Sequence, residues 1–364
     1  MTPEPFSLRF GADSLIVSTA AFPVRKRDRG ELIPLLPSVY IPESLIDVTA
    51  PRWHVRRQVQ VARILATGVS RERSAQRMIT MEAALIVRGL PSWMGTHDIH
   101  YRTLGNGSPG RCVEAPCVRV GETLVPEVAV RKVVADRLSS RFNVVRGVPV
   151  ASLEETILDL VRLAHPLMAY VDVSVALSEL CRFDTRHIPA SRRRENRVKE
   201  ILIGQLEPIR NRRGYRRALE LIKKADAGID TPPEGVLLWL LHILLRNDRS
   251  QLAHFESQYP VVIRGELKRA DVGFPNLKLF IEFHGRGKLI KDDEGAQNWI
   301  DRQQRFQQEG WTPLRFTTSN LNNLTGVADE MTQVLSSFGL RVSPLGGPLW
   351  KELPSYFSAP IRRN

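Results

Sequence analysis

The sequence predicts a multidomain α/β protein of the α+β type, and three observations lead to this prediction. The chain has 364 residues, which is too long for one ordinary hydrophobic core and typical of two or three domains. Its composition, with 43% hydrophobic and 25% charged residues, is that of a globular protein. Helical and strand-like apolar patterns alternate along the chain with turn formers between them. We divide the chain into segments 1–50, 51–180, 181–228, 229–342 and 343–364.

The first segment joins a basic, turn-prone stretch to short apolar runs that end in a strand, which predicts a small α/β unit. Its basic residues, RKRDR, are candidates for contacts with DNA phosphates: Arg25, Lys26, Arg27 and Arg29. An ordinary charged turn is the alternative. The N-terminus lacks a basic stretch followed by an apolar one, and no run of about 18 apolar residues exists. We therefore expect neither secretion nor a membrane partner. Three cysteines without a C-x-x-C motif favour a cytoplasmic location.

The middle of the chain predicts helices first and strands later. Apolar residues recur on one side of a helix over 54–66, and a second helix is predicted over 75–87. Residues 97–150 are mostly strands and turns, because Gly and Pro interrupt short β-prone runs. Ser152, with Glu155 three residues later, has the spacing of a capping box and should begin the next helix.

A basic connector follows. The whole chain carries a net charge of +13, and residues 182–224 contain fourteen Lys or Arg and five Asp or Glu, which is +9 of that total. Such an excess favours a polyanionic partner, with nucleic acid first. Arg212, Arg213 and Arg216 are candidates for DNA contacts, and a solvated helical face is the alternative.

The last segment predicts the order helix, three strands, helix, strand, helix, with its start near residue 229. Pro275 and Asn276 form a turn between two apolar strands, and if the turn centres between Asn276 and Leu277, positions whose numbers sum to 553 lie opposite each other. Asp271 and Glu282 form such a pair, with Cβ atoms about 5 Å apart. Two facing carboxylates repel unless a cation or a proton lies between them, and hard divalent cations take oxygen ligands. An acid inside an apolar strand likewise requires a partner.

These residues carry a resemblance to a known family. The stretches ADVGFPNLKLFIEFHGRGK and DRQQRFQQEGWTPLRFTTSNL resemble the very-short-patch-repair-like branch of the PD-(D/E)xK nuclease superfamily. The resemblance implies a restriction-endonuclease-like fold, a divalent metal cofactor (Mg²⁺ or Mn²⁺) and catalytic residues at four positions: Glu234, Asp271, Glu282 and Lys288. The first three would hold the metal. Arg302 would steady a phosphate, and Arg305 on the same predicted helix is a further candidate, unless both form an exposed helical face.

One position departs from the nuclease pattern. His284 stands where the family usually has aspartate, and an imidazole that joins the metal site suits Zn²⁺, Mn²⁺ or Fe²⁺ better than Mg²⁺. For this reason the sequence is compatible both with a nuclease that has kept its catalytic activity and with one that has lost it. Glu234 also has an alternative role, because Thr231-Pro-Pro-Glu has capping-box spacing with proline in the first helical turn.

The first two thirds of the chain resemble a second family. The stretches RGELIPLLPSVYIP, MITMEAALIVRGLPSW, VVRGVPVASLEETILDLVRLAHP and AYVDVSVAL follow, in order, the pattern of the AbiEi-like antitoxins of type IV toxin–antitoxin systems. The resemblance implies an N-terminal winged helix that binds promoter DNA, an α/β middle domain and a cognate toxin as partner. Only 24 residues precede Arg25, so we expect a truncated winged helix.

Three functions follow from the sequence. The first is a DNA-binding protein that hydrolyses DNA phosphodiesters with a divalent metal. The second is an antitoxin or transcriptional repressor in which the nuclease fold is catalytically inactive. The third is a protein-interaction module whose basic connector binds an acidic partner.

Overall fold

The computed structural model describes residues 8, 10–18, 31–72, 75–93, 98–104, 112–133, 141–263, 265–284, 306 and 308–352. The chain divides into two compact units, Met1–Ala164 and His165–Asn364. Both units combine helices with sheets, so the predicted mixed α/β class is confirmed. No helix in the described part of the chain is both long and apolar enough to cross a membrane. The five-segment division made from the sequence stays a prediction.

The described part of the first unit contains three α-helices and twelve strands. The helices are α1 (Arg52–Val69), α2 (Met81–Val87) and α3 (Leu153–Leu163). The strands are β1 (Ile16–Val17), β2 (Leu32–Leu36), β3 (Val39–Pro42), β4 (Arg71–Glu72), β5 (Ala75–Thr80), β6 (Ile99–Thr103), β7 (Val113–Ala115), β8 (Val118–Val120), β9 (Thr123–Val125), β10 (Val128–Lys132), β11 (Phe142–Val145) and β12 (Val148–Ala151).

The described strands of this unit form three sheets. The first has the order β1-β3-β2, and the largest has the order β11-β12-β5-β6-β10-β7 with β4 paired to β5. Strands β8 and β9 form a separate hairpin. The predicted apolar side of α1 is confirmed, since Val55, Val59, Ala62 and Ala66 are fully buried. Among the described residues of 1–50 there is no α-helix, only two short 3-10 turns.

The helix predicted over 75–87 is wrong in its first half. Residues 75–80 form β5, which pairs with β6 in an antiparallel register that includes Ile79 and Tyr101. The apolar spacing fits a helix, but pairing in a sheet decides the conformation of residues 75–80. The chain turns from strand to helix at Met81, whose φ of 55° lies in the left-handed region.

The predicted cap of α3 is confirmed and lies beside a buried ion-pair cluster. The Ser152 hydroxyl oxygen accepts a hydrogen bond from the Glu155 backbone N–H at 3.3 Å. Arg102 on β6 pairs with Glu155 at 3.3 Å and with Asp159. Thr80 on β5 also donates a hydrogen bond to Asp159. All of these polar side chains except that of Ser152 are buried, so α3 is held to the sheet by charge as well as by apolar packing.

The described part of the second unit contains five α-helices and four strands. The helices are α4 (Pro166–Cys181), α5 (Ile188–Leu206), α6 (Tyr215–Lys224), α7 (Pro232–Leu244) and α8 (Leu324–Ser337). The strands are β13 (Glu256–Ile263), β14 (Glu266–Phe274), β15 (Leu279–His284) and β16 (Thr312–Thr317).

These strands form one sheet in the order β13-β14-β15-β16. The first three are antiparallel neighbours, whereas β16 runs parallel to β15. The helix that begins at Pro232 and the final helix lie where the sequence predicts them. The intervening helix predicted over 294–309 lies mostly outside the described residues. The described elements follow one another in the predicted order. Gly310, whose φ of 78° lies in the left-handed region, ends the helical residues before β16.

Candidate functional site

The hairpin of β14 and β15 has the predicted register. Val272 pairs with Ile281, Gly273 with Phe280 and Phe274 with Leu279, and each pair of numbers sums to 553. The paired residues end at Val272 and Ile281, and the next position on the two strands carries Asp271 and Glu282.

Asp271 makes a side-chain contact where the strand pairing ends. Its Oδ2 atom accepts a hydrogen bond from the Phe283 backbone N–H at 2.7 Å. A carboxylate oxygen thus takes the place of a main-chain acceptor on the neighbouring strand. The position of this carboxylate is set by β15, although the residue belongs to β14.

Glu282 lies in a strand whose six residues are all buried, and its own exposure is 5%. The parallel register places Arg315 of β16 directly opposite it. The Glu282 Oε2 atom lies 3.4 Å from Arg315 Nε and 3.4 Å from His284 Nε2. The predicted need of this buried acid for a partner is therefore met, chiefly by the permanent charge of Arg315. At 3.4 Å these contacts are long for hydrogen bonds, so charge attraction dominates them.

Arg315 is a site residue that the sequence did not single out. Its guanidinium carbon also lies 5.9 Å from the centre of the Phe280 ring, which is within cation–π range. The only available signal was its position between Leu314 and Phe316, which places it on the opposite face of β16 from these two residues. The face it shares with Glu282 depends on the parallel pairing with β15, and the sequence does not reveal that register.

Glu234 occupies the first turn of α7, but the capping box suggested by its spacing from Thr231 is not formed, because the Thr231 side chain accepts no backbone N–H of the helix. The Glu234 Oε1 atom accepts a hydrogen bond from the Thr231 hydroxyl at 2.8 Å, and its Oε2 atom accepts one from the Asp230 backbone N–H at 2.9 Å. Glu234 therefore ties the start of α7 to the residues before it. Burial, followed by the negative charge of Asp271, raises the pKa of Glu234 to about 8. Glu234 and Asp271 therefore interact electrostatically.

We call Glu234, Asp271 and Glu282 the acidic cluster. Its oxygen donors suit a hard divalent cation. Within the part of the chain that the structure describes, however, no three His, Cys, Asp or Glu side chains are arranged as a metal-binding group. Glu282 contacts Arg315 and His284 at 3.4 Å. A metal ion can therefore bind this carboxylate only if those two side chains move.

A second polar feature joins α5 to the sheet. The Arg192 Nη1 atom lies 2.6 Å from Glu195 Oε2 and 2.7 Å from Asp226 Oδ1. Its Nη2 atom donates to the Ser257 hydroxyl of β13 at 2.6 Å. A Cβ at Gly228 would lie 2.4 Å from the Ser257 Oγ atom and 2.9 Å from Arg192 Nη2, so this close approach requires glycine. We call these five residues the Arg192 network.

The predicted DNA-contacting residues divide into two groups. Arg212, Arg213 and Arg216 are exposed, in the turn before α6 and in its first turn. Gly214, with φ 92°, breaks the chain here as predicted. The remaining predicted contacts lie outside the described residues: Arg25, Lys26, Arg27, Arg29, Arg302 and Arg305. Lys288, the predicted catalytic lysine, also lies outside them.

Comparisons with protein-family models, with curated proteins and with solved structures found no match to this chain.

Proposed function

We propose that the protein binds DNA and hydrolyses its phosphodiester bonds at the acidic cluster with a divalent metal. The observation that supports this proposal is the electrostatic coupling of Asp271 on β14 to Glu234 on α7, next to Glu282 on β15. Asp271 also accepts a hydrogen bond from the backbone of Phe283, the residue that follows Glu282. Acids whose pKa values are shifted by burial and by one another are typical of sites that bind cations or transfer protons.

The residues of the cluster have distinct parts in the proposed chemistry. A bound Mg²⁺ or Mn²⁺ would polarise the scissile phosphate and lower the pKa of an attacking water. Asp271, held by the Phe283 N–H, presents its carboxylate in a defined orientation. Glu234, with a pKa of about 8, carries a proton at neutral pH and releases it when a cation approaches. The resemblance assigns Lys288 to stabilising the charge on the phosphate.

The test is nicking of supercoiled plasmid in Mg²⁺ or Mn²⁺ by wild-type protein and by Asp271→Asn. The asparagine side-chain oxygen can still accept the Phe283 N–H, so this variant removes charge and keeps the anchor. Loss of a group that only orients a metal ligand already costs about 10–100-fold, so we expect the rate to fall by about 100-fold or more.

Asp248→Asn is the matched control. Asp248 belongs to the same unit and likewise accepts backbone N–H groups, from Ser250 and Arg341. This variant should cleave as the wild type does. Equal cleavage by wild type and Asp271→Asn, across metals and across duplex and single-stranded substrates, would show that the acidic cluster is not a catalytic site.

A second function is favoured by the partners of Glu282. Arg315 and His284 place a guanidinium and an imidazole where the proposed metal would bind. This arrangement favours an antitoxin or transcriptional repressor whose nuclease fold is catalytically inactive. For such a protein, the resemblance to the AbiEi-like family implies promoter DNA and a toxin as partners. Specific retardation of the DNA upstream of its own gene, without Mn²⁺ binding in isothermal titration calorimetry and without cleavage in any metal, would support this second function.

A further inference from the structure

The basic connector contains cations of two kinds, and the first kind is bonded to other groups of the protein. Arg192 belongs to the Arg192 network described above. Arg194 donates hydrogen bonds to the backbone carbonyls of Cys181 and Arg182, both at 2.8 Å. Lys199 pairs with Glu195 at 2.8 Å and donates to the Lys223 carbonyl at 3.3 Å. These side chains hold α5 against its neighbours, because their charges or N–H groups are paired with carboxylates, a hydroxyl and backbone carbonyls of the protein.

The second kind faces solvent. From α5 to the first turn of α6, five exposed arginines have side chains that make no hydrogen bond or ion pair with another described residue. We call them the outer arginine face: Arg193, Arg197, Arg212, Arg213 and Arg216. Arg193 and Arg197 are four residues apart on α5, so they lie on one side of that helix.

Nearby acids leave this face largely uncompensated. Of the five acids in the connector, Asp184 bonds to His187 at 2.9 Å, and Glu195 is buried against Arg192 and Lys199. Glu207 accepts the Tyr215 hydroxyl at 2.8 Å. Glu200 and Glu220 lie three residues after Arg197 and four residues after Arg216, but neither forms an ion pair with a described residue. Five arginines on α5, on α6 and in the turn before α6, without a carboxylate partner among the described residues, keep their attraction for a polyanion.

The two helices spread these charges along a line. A short link, residues 207–214, joins the end of α5 to the start of α6, and Lys199 of α5 reaches the carbonyl of Lys223 near the end of α6, so the two helices run side by side in opposite directions. Arg193 is therefore near one end of the pair, and Arg212, Arg213 and Arg216 are near the other. Thirteen residues separate Arg193 from the end of α5, which is about 20 Å of helix. Duplex DNA presents one phosphate charge per about 1.7 Å of its axis, so this length matches many phosphates.

We propose that the outer arginine face binds the sugar–phosphate backbone of duplex DNA independently of base sequence. The inference rests on the DNA-directed function proposed above, and it adds Arg193, Arg197 and the chemical class of the target. Counterion release makes log Kobs fall with log salt by about 0.9 per phosphate contact. Five contacts contribute a slope of about −4.5, or about a 500-fold loss of affinity between about 50 and 200 mM salt.

The test is fluorescence anisotropy of a labelled duplex of about 30 base pairs, titrated with the full chain at several salt concentrations. One variant combines five substitutions: Arg193→Gln, Arg197→Gln, Arg212→Gln, Arg213→Gln and Arg216→Gln. All five residues are exposed, so the fold should be kept, and circular dichroism checks this. We expect the salt slope to become shallower by about 4.5 and the affinity to fall by the same factor for duplexes of different sequence.

A matched variant removes five other exposed charges: Arg52→Gln, Arg119→Gln, Arg141→Gln, Arg249→Gln and Lys351→Gln. It should keep most of the slope. Equal losses in the two variants would mean that net charge alone drives binding and would overturn the proposed face. An unchanged slope in the first variant would also overturn it, and binding of an acidic protein would then become the explanation for these arginines. Plasmid cleavage that depends on Asp271 but not on the five arginines would refute the face and leave the proposed catalysis standing.

Discussion

Replacing Arg192 by methionine removes the cation at the centre of the Arg192 network and keeps most of the side-chain length. Its guanidinium contacts Glu195 and Asp226 at 2.6 and 2.7 Å and the Ser257 hydroxyl at 2.6 Å. Without it, the Glu195 side chain, which is 2% exposed, keeps only Lys199 and the Ala227 N–H as polar contacts. We expect Arg192→Met to destabilise the second unit.

The structure limits the size of this effect. Removing one member of a buried ion pair costs about 3–5 kcal/mol, because the other charge stays buried without its partner. The Arg192 side chain is 28% exposed, and both carboxylates keep other donors. We therefore expect a loss of about 2–4 kcal/mol in the free energy of unfolding.

Urea denaturation followed by tryptophan fluorescence measures this loss as a lower midpoint at an unchanged m-value. Hydrogen exchange should quicken at the Ala227 and Gly228 amides, which donate to the Glu195 and Asp226 carboxylates. Although burial opposes it, Arg192 holds the pKa of Asp226 below its usual value. The ion pair between Arg192 and the Asp226 carboxylate therefore stabilises the folded state above the unfolded pKa of about 3.9, and this stabilisation is lost as the pH falls and Asp226 becomes protonated. The difference between variant and wild type should therefore shrink below about pH 4.

Arg193→Met is the matched control, because Arg193 is the next residue along the chain and is exposed. Surface substitutions of this kind change stability by less than about 0.5 kcal/mol. An Arg192→Met variant as stable as Arg193→Met would refute the reasoning that a buried network holds α5 to the sheet.

Two further predictions concern the acidic cluster and its sheet. Because the folded pKa of Glu234 is raised from 4.5 to about 8, its contribution to stability is present at low pH and lost as the pH rises through 8. Thermal unfolding from pH 5 to 9 should show this loss, and Glu234→Gln, which cannot ionise, should flatten it. Gly273→Ala places a Cβ 2.5 Å from the Tyr259 side chain and should cost about 1–3 kcal/mol. Gly204 has open space around it, so Gly204→Ala should not lower the free energy of unfolding measured by urea denaturation. An equal loss of stability in Gly204→Ala and Gly273→Ala would contradict the steric argument.

The β14–β15 hairpin illustrates what can be predicted from sequence. A local turn at Pro275-Asn276 sets the register of its two strands, so the positions of Asp271 and Glu282 follow from counting. The identity of Glu282's partner does not follow. Arg315 lies on a parallel strand 33 residues away, and the register of such a pair is set by tertiary packing.

The arginines of α5 illustrate the same limit for charge. Arg192 and Arg193 are neighbours of identical chemistry, and composition counts both as positive surface. One is enclosed by Glu195, Asp226 and Ser257, whereas the other faces solvent. Helical periodicity places them about 100° apart, but only the packed structure shows which of them meets a carboxylate.

The Arg192 network also bears on which part of the chain can fold by itself. The turn-rich stretch before α7 reads as a boundary, yet Ala225, Ala227 and Gly228 are buried there, and the Asp226 backbone N–H donates to the Ser174 hydroxyl of α4. A fragment starting near residue 229 would leave Ser257 without Arg192 and would expose the side of α7 that packs on α4. A fragment that keeps these contacts therefore begins near His165, the start of the second compact unit, and contains the basic helices together with the acidic cluster.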